Sequence, residues 1–297
     1  ATLDDTDFFA PALSMISDDC SLNGVARKPI LEVYAGTWGQ YDPDIEVYAD
    51  PLLAAYPEVS RITSHLGDAL EIPDGLTVNN DLTNNGVPAG SVDRVLFGGE
   101  GFVAVNRDQW ATRTAERLLN LAPVAVELEN LSYDPVTRLL QVEVRGDFHS
   151  SVTGDLRFNL TLVEDSVTGF PQSNGFYNTQ AGHPHFGAGN PIVNFYHRNV
   201  IREHLGGAWG SAGIIPGSVA NGSTYSTTYS YTIPVGIDEN QVSIIGYVCE
   251  YGAGVDTREM LNSSGLISLS TVLVPPANDD VCNAIPLNFG VNGPYNA

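Results

Sequence analysis

The chain is poor in lysine, cysteine and long apolar runs, and each shortage narrows what it can be. Lys28 is the one lysine among 297 residues, so chemistry resting on a lysine amine has a single candidate. Cysteine occurs at Cys20, Cys249 and Cys282, and no two have the Cys-x-x-Cys spacing of a redox dithiol or a zinc ribbon. The odd number leaves two readings open: one disulfide with one buried thiol, or three free thiols. No stretch reaches the roughly 20 apolar residues that a membrane-crossing helix needs. Positive charge is scarce as well, with 13 Lys and Arg against 35 Asp and Glu, a formal net charge of −22. A field of that sign repels phosphate backbones and anionic lipid, which argues against nucleic acid and membrane surfaces as partners. It favours solubility outside the cell.

What is present reads as folded material, since hydrophobic residues make up 43% of the chain and charged residues only 16%. The chain opens on Ala1-Thr2-Leu3-Asp4-Asp5 without Met, as a mature start left by signal-peptide removal does; an expression boundary would look the same. Residues 1–24 form an irregular acidic lead-in. Residues 25–122 carry an α/β order. Pro29 to Tyr34 is a compact apolar strand, and Asp44 to Tyr56 has helical spacing at Ile45, Tyr48, Leu52, Leu53 and Tyr56, with Pro51 expected to kink or split it. Val59 to His65 and Val92 to Phe97 read as strands, and residues 66–91 show little periodicity. Asn106 caps a helix from Arg107 to Asn120 with Trp110, Ala111, Thr114, Leu118 and Leu121 on one face.

The pattern changes at Pro123. Segments around Val124–Glu129, Leu139–Val144, Leu156–Leu162, Tyr225–Ile233 and Gln241–Tyr251 alternate apolar and polar residues between turns, which predicts an antiparallel β-sandwich over 123–274. Inside it, residues 169–217 form a long loop with one short helix expected at Val200 to Leu205. A loop of that length is functional or tied down by packing. Residues 275–297 read as a linker and the start of an incomplete module or assembly tail.

The stretch Val33-Tyr34-Ala35-Gly36-Thr37-Trp38-Gly39-Gln40-Tyr41-Asp42-Pro43 resembles the strand, redox loop and helix start of thioredoxin-like domains. Trp38 and Pro43 match that motif, while Gly39 and Asp42 stand at the two cysteine positions. Gly86-Val87-Pro88-Ala89 stands where such domains carry a cis-proline facing the loop. The second half, through Asn194-Phe195-Tyr196-His197-Arg198-Asn199-Val200-Ile201-Arg202 and Gly206-Gly207-Ala208-Trp209-Gly210, is similar to the Bacteroidota outer-membrane protein family named for a twenty-eight-kilodalton member. The resemblance covers roughly residues 25–270. It implies a thioredoxin-like half followed by a β-rich half, and a secreted or outer-membrane-associated protein of the kind described as adhesins, with no established reaction.

Thiol–disulfide exchange needs a reactive thiolate and a resolving thiol. Gly39 and Asp42 supply neither, so the loop of Trp38, Gly39, Asp42, Pro43 and Pro88 is expected to serve as scaffold or contact surface. Cys249 lies in an apolar strand and is expected in the core. Cys20 and Cys282, each after an acidic pair, are a candidate disulfide within the chain or between copies. His183-Pro184-His185 with His149, His197 or His204 could ligate a metal, but Pro184 forbids helical geometry, and an exposed loop is the plainer reading. His197, Arg198, Arg202 and Glu203 are expected to fasten the long loop to the sandwich. Asp81, Thr83 and Asn85 have the alternating oxygens of a calcium loop, yet Val92 stands where its bidentate Glu would be. No Gly-x-Ser-x-Gly elbow, phosphate-binding loop or dinucleotide pattern is present.

The reading that results is a non-catalytic surface protein with a structural or adhesive role and no cofactor, apart from the calcium candidate. Its expected partners are further copies of itself, other surface proteins or glycans. The alternative is a carbohydrate- or peptide-binding module using Phe176, Tyr177, Phe186 and Trp209 of the 169–217 loop as an aromatic platform. For Trp209 and for Tyr196, packing onto the sandwich is the competing role.

Overall fold

The computed structural model describes residues 24–83 and 86–272. Cys20, Cys282, Asn85, the 275–297 segment and all of the 1–24 lead-in but Gly24 lie outside them. The first half is organised around β1 (Ile30–Ala35), a strand buried on both faces. Leu31, Val33 and Ala35 point to one side, where they meet Ile45, Ala49 and Leu52 of α1 (Ile45–Ala55) and Trp110 of α3 (Trp110–Leu118). On the other side Tyr34 packs on Val78 and Leu82 of α2 (Pro73–Leu82). This explains why the strand is a continuous apolar run rather than an alternating one. The chain crosses over through α1 to β2 (Ser60–His65), parallel to β1, while β3 (Ala89–Val92) pairs antiparallel on its far side.

Four expectations for this half are corrected. Pro51 does not split α1, which runs unbroken from Ile45 to Ala55. It lies on the exposed side of the helix, where the Val47 carbonyl that loses its partner can take water. Residues 66–91 contain α2, whose buried face is Gly75, Val78, Asn79 and Leu82. The helical spacing is regular, but two of its four members are not apolar. The strand expected over Val92–Phe97 stops at Val92, because Asp93 and Arg94 adopt left-handed backbone (φ 52° and 54°) and turn into buried ion pairs. In α3 the buried positions are Trp110, Thr114 and Arg117, and Ala111 is exposed.

Beyond Pro123 the strands are β4 (Val124–Asp134), β5 (Leu139–Phe148), β6 (Val152–Thr153), β7 (Leu156–Glu164), β8 (Val200–His204), β9 (Ser218–Val219), β10 (Thr224–Thr232), β11 (Val242–Glu250), β12 (Met260–Ser263) and β13 (Ile267–Ser268). Val200 to His204 is thus a strand, not the expected helix, and its place in the sheet gives the reason. It fills the gap between β7, to which it is antiparallel, and β2, to which it is parallel through Thr63 and Val200. The result is one large mixed sheet in the order β12-β11-β7-β8-β2-β1-β3, with β13 also on β11, running through strands from both sides of Pro123. A separate antiparallel sheet, β10-β5-β4, stacks on it. Val126, Leu140, Val142 and Val144 from the small sheet share a core with Phe158, Leu160, Leu162, Val242 and Ile244 from the large one. Burying a Leu or Phe side chain of this kind stabilises by roughly 1.5–3 kcal/mol, so this core is a main source of cohesion. The protein is therefore mixed α/β, a large mixed sheet with antiparallel layers and few helices.

Candidate functional site

Strand β1 delivers the chain into a tight loop, Gly36 to Pro43, that runs into α1. Trp38 folds back over Gly36, and its Nε1–H donates to the Leu66 carbonyl at 2.7 Å. A Cβ on Gly36 would stand 2.7 Å from that Nε1, so only glycine lets the ring lie there. The indole remains half exposed. Asp42 turns inward and is 2% exposed. Its Oδ2 accepts the Gly36 N–H at 2.5 Å, while Oδ1 has no partner. Burial pushes the Asp42 carboxyl up to about 8, with the Gly36 N–H and the more distant Arg107 opposing it incompletely. It is therefore largely protonated at neutral pH. A Cβ on Gly39 would come within 2.3 Å of Asp42 Oδ1, so the aspartyl group fills the volume that a side chain at position 39 would need.

The Val87–Pro88 peptide bond is cis. Pro88 and Val87 line a cavity of about 400 Å³ together with Tyr41, Asn106 and Arg107. One wall of this cavity thus belongs to the loop before α1 and another to the segments around β3 and α3. Asn106 sits at the start of the latter, its side chain accepting the Arg107 N–H at 3.0 Å.

A second segment, residues 170–197, straps this loop down. Gln172 is buried, and its Nε2 donates to the carbonyls of Gly36 (3.2 Å) and Gly39 (2.9 Å). The Ser173 N–H donates to the Thr37 carbonyl at 2.7 Å. Asp44 anchors the strap from below. Its Oδ2 accepts from Arg107 Nε at 2.5 Å and from the Tyr177 hydroxyl at 3.0 Å, and its Oδ1 lies 2.9 Å from His183 Nε2. Burial would raise the Asp44 carboxyl, but these bonds outweigh it and hold it below its ordinary value. Asp68 is likewise held low against burial, by His65 at 2.8 Å and by the N–H groups of Thr37 and Leu70. Rings form a continuous run across the strap: Tyr41 on Phe176 at 4.8 Å, Phe176 on Tyr177, Tyr177 stacked on His183 at 3.9 Å, then His185, Phe195, His197 and His65. Burial lowers His185 and His197, so both are neutral at pH 7. This arrangement can bind and pack. Within the loop and strap it brings no thiol, and each of its ionised carboxylates is already tied to a donor.

The family model for the outer membrane protein Omp28 matches residues 76–258. The chain belongs to the Omp28 family. It is accordingly associated with the outer membrane and cell surface. Among solved structures, HBP35 of Porphyromonas gingivalis superposes with a TM-score of 0.64 at 14% identity, covering 84% of this chain and 77% of that one, a likeness of fold. A domain of the outer membrane lipoprotein Omp28 from Porphyromonas gingivalis aligns at 12% identity over 50% of this chain and 87% of its own, with a TM-score of 0.27. No curated protein matches the chain. The Omp28 match begins inside α2, so the Gly36–Pro43 loop lies ahead of it.

The residues singled out from sequence are only partly brought together. Tyr41 and Pro88 line the cavity, while Asp42 and Pro43 are buried in the loop before α1. The expected aromatic platform is broken up. Phe176 and Phe186 are exposed, but Tyr177 is buried with its hydroxyl on Asp44 and raised to about 12 by burial and that bond. Trp209 is elsewhere, with the Arg258 guanidinium 4.0 Å from its ring centroid and Tyr251 beside it. Of the three calcium candidates, Asn85 lies outside the described residues and the other two have protein partners. Asp81 belongs to α2 and pairs with Arg258, and Thr83 donates to Asn79 Oδ1 at 3.0 Å. Among the described residues no group of three His, Cys, Asp or Glu side chains converges. His204 is buried with Nδ1 2.7 Å from the Thr161 hydroxyl, and burial with nearby Arg94 drops it to about 4. Cys249 is buried in β11, its thiol pushed up to about 11 by burial. His197, Arg198 and Arg202 fasten the long loop, to the Phe170 carbonyl, Asp165 and Glu164.

Sequence reasoning passed over Gln172, Asp44 and Arg107, which bind loop and strap to each other. Asp44 at the start of α1 carried a weak signal as an acidic group at a helix N-terminus. Gln172 carried none.

Proposed function

We propose that this chain is a non-catalytic cell-surface protein with a structural or adhesive role, in which a thioredoxin-like half has lost its redox chemistry and is braced by a β-sandwich half. The observation that carries this reading is the Asp42 carboxyl lying in the volume a side chain at position 39 would need, at the loop where a thiol pair would have to act. What the loop presents outward is apolar and aromatic. Trp38 is 51% exposed, Tyr41 and Phe176 are exposed and in ring contact at 4.8 Å, and Phe186 of the strap is exposed as well. Such a rim suits contact with other surface proteins, glycans or further copies of the chain. A second reading, a peptide- or carbohydrate-binding module, is favoured by one feature, the cavity at Pro88 where aromatic Tyr41 and polar Asn106 and Arg107 converge.

The test is binding of the purified protein to immobilised surface proteins and to a glycan array, alongside the Phe176→Ala/Phe186→Ala variant. Loss of binding with an unchanged melting temperature supports the adhesive rim. Turnover of a protein disulfide that is lost in Cys249→Ser would overturn the non-catalytic reading.

A further inference from the structure

The small sheet ends on one side in β10, and that edge is unguarded. The ladder bonds Ile233 N–H to Arg138 O and Phe148 N–H to Ser223 O fix which residues of β10 face β5. Odd-numbered residues bond to β5, so the N–H and C=O groups of Thr224, Ser226, Thr228, Ser230 and Thr232 point to the open side. All five are exposed, and among the described residues no backbone group pairs with them. The strand is nine residues long, with an unbroken register against β5 and no charge, proline or bulge. Natural edges are normally blunted by one of those devices.

The other edges of the two sheets have them. The far edge of the small sheet, β4, carries Glu127 and Glu129, a bulge between Glu129 and Ser132, and Asn130 in left-handed backbone. Its first residue is further covered by Asn262, which donates to the Val124 carbonyl at 2.8 Å. Outside β3, Gly90 bonds Val105, and β12 is only four residues long. In a chain of net charge −22, β10 is a long strip with no acidic group of its own.

The sequence of β10 is close to a palindrome about Thr228. Reading Thr-Tyr-Ser-Thr-Thr-Tyr-Ser-Tyr-Thr outward from that centre pairs Ser226 with Ser230, Tyr225 with Tyr231 and Thr224 with Thr232. Only Thr227 and Tyr229 are unlike. An antiparallel pair of identical strands crossing on a two-fold axis makes the same pairings between copies.

We infer that β10 pairs antiparallel with β10 of a second copy of this chain, with Thr228 on the two-fold axis, joining two three-stranded sheets into one of six. The parity required for this register is the one present, since the residues that meet across the axis are those whose backbone groups face outward. Pairing all nine residues makes roughly ten main-chain hydrogen bonds. Cross-strand tyrosine pairs form on the inner face and hydroxyl pairs on the outer one. The inner tyrosines already have partners in the same chain, Tyr225 edge-on to Phe148 at 6.0 Å and Tyr231 through its hydroxyl to Glu203 at 3.5 Å, so little ordering is left to do on association. This inference deepens the self-association part of the proposed function and rests on that part alone.

The test is sedimentation equilibrium of the full chain in reducing buffer, which removes any contribution from Cys20 or Cys282. The expected result is a reversible dimer. Thr228→Lys sets two ammonium groups against each other on the axis and should raise the dissociation constant at least about tenfold, with an unchanged circular dichroism spectrum because the side chain is exposed. Amide exchange at Ser226, Thr228 and Ser230 should slow as the wild-type protein is concentrated. A chain that stays monomeric overturns both this inference and self-association. A dimer that persists in Thr228→Lys overturns the β10 contact and leaves self-association to another surface. Equal protection of the three amides in dilute monomer shows the edge covered by residues of the same chain, which also overturns it.

Discussion

Glu32 and Asp42 lie within ten residues of each other, both are buried carboxyls, and their protonation goes opposite ways. Glu32 is 0% exposed and takes two bonds from the Arg94 guanidinium, each at 2.8 Å, and one from the Tyr34 hydroxyl at 2.9 Å. Burial would raise it, but Arg94 together with His204 and the Tyr34 hydroxyl outweighs burial and holds it below the ordinary carboxylate range. Asp42 has one N–H for a partner, Arg107, whose charge opposes the shift, is committed to Asp44, and burial wins. The difference lies in whether a desolvated charge meets a cation in the same volume. Glu32 is ionised and ties β1 to the turn after β3. Asp42 is a neutral group whose work is to fill space in a loop that has no sulfur.

Removing the cation from the first member should have the largest effect. Arg94→Met leaves Glu32 buried and uncompensated, and is expected to destabilise by about 3–5 kcal/mol in urea unfolding. The Glu32→Leu/Arg94→Met pair should recover most of that loss, because the pair's net worth against apolar side chains is small. A single variant costing under about 1 kcal/mol would mean that Glu32 is protonated like Asp42, and the contrast would collapse.

Asp42→Asn tests the second member through pH. The folded-state value of about 8 lies above the value near 4 expected of the unfolded chain, so the protonated form favours the fold. Its stabilisation is complete below about pH 4 and is lost as pH rises toward 8. Asparagine keeps an oxygen for the Gly36 N–H and cannot ionise. The variant should therefore gain on wild type progressively from pH 5 to pH 8, by about 1–3 kcal/mol at the upper end. Parallel stability curves for the two proteins across that window would show that Asp42 is already ionised at neutral pH.

The contrast also marks how far the sequence could be read. The β1-α1-β2 order and the alternating strands after Pro123 follow from local periodicity. The absence of sulfur at Gly39 and Asp42 is visible directly. Helix α2 was hidden because its buried face includes Gly75 and Asn79. Strand β8 was misread as helix because Val200–His204 is defined by its neighbours β7 and β2, not by its own spacing. The same holds for the site. Gln172 meets Gly36 across 136 positions and His183 meets Asp44 across 139, distances at which no periodicity carries information. Glu32 inside an apolar strand was a visible anomaly, but its partner Arg94 was placed in a strand that does not exist.

The smallest expected effect tests whether Asp42 owes its position to the missing side chain at 39. Gly39→Ala places a methyl group 2.3 Å from Asp42 Oδ1, so the carboxyl must move out of its pocket or the loop must shift. The cost should be about 1–2 kcal/mol, the usual scale of a local overpacking that a side-chain rotation can partly relieve. Asp42→Ala empties the volume into which the new methyl points. If the two residues compete for one space, the double variant should lose less than the sum of the single losses, with a coupling of about 0.5–1.5 kcal/mol. Additive losses would mean that Gly39 is required by its backbone alone. The Asp42 carboxyl would then sit where it does because of the Gly36 N–H, whatever residue stands at 39.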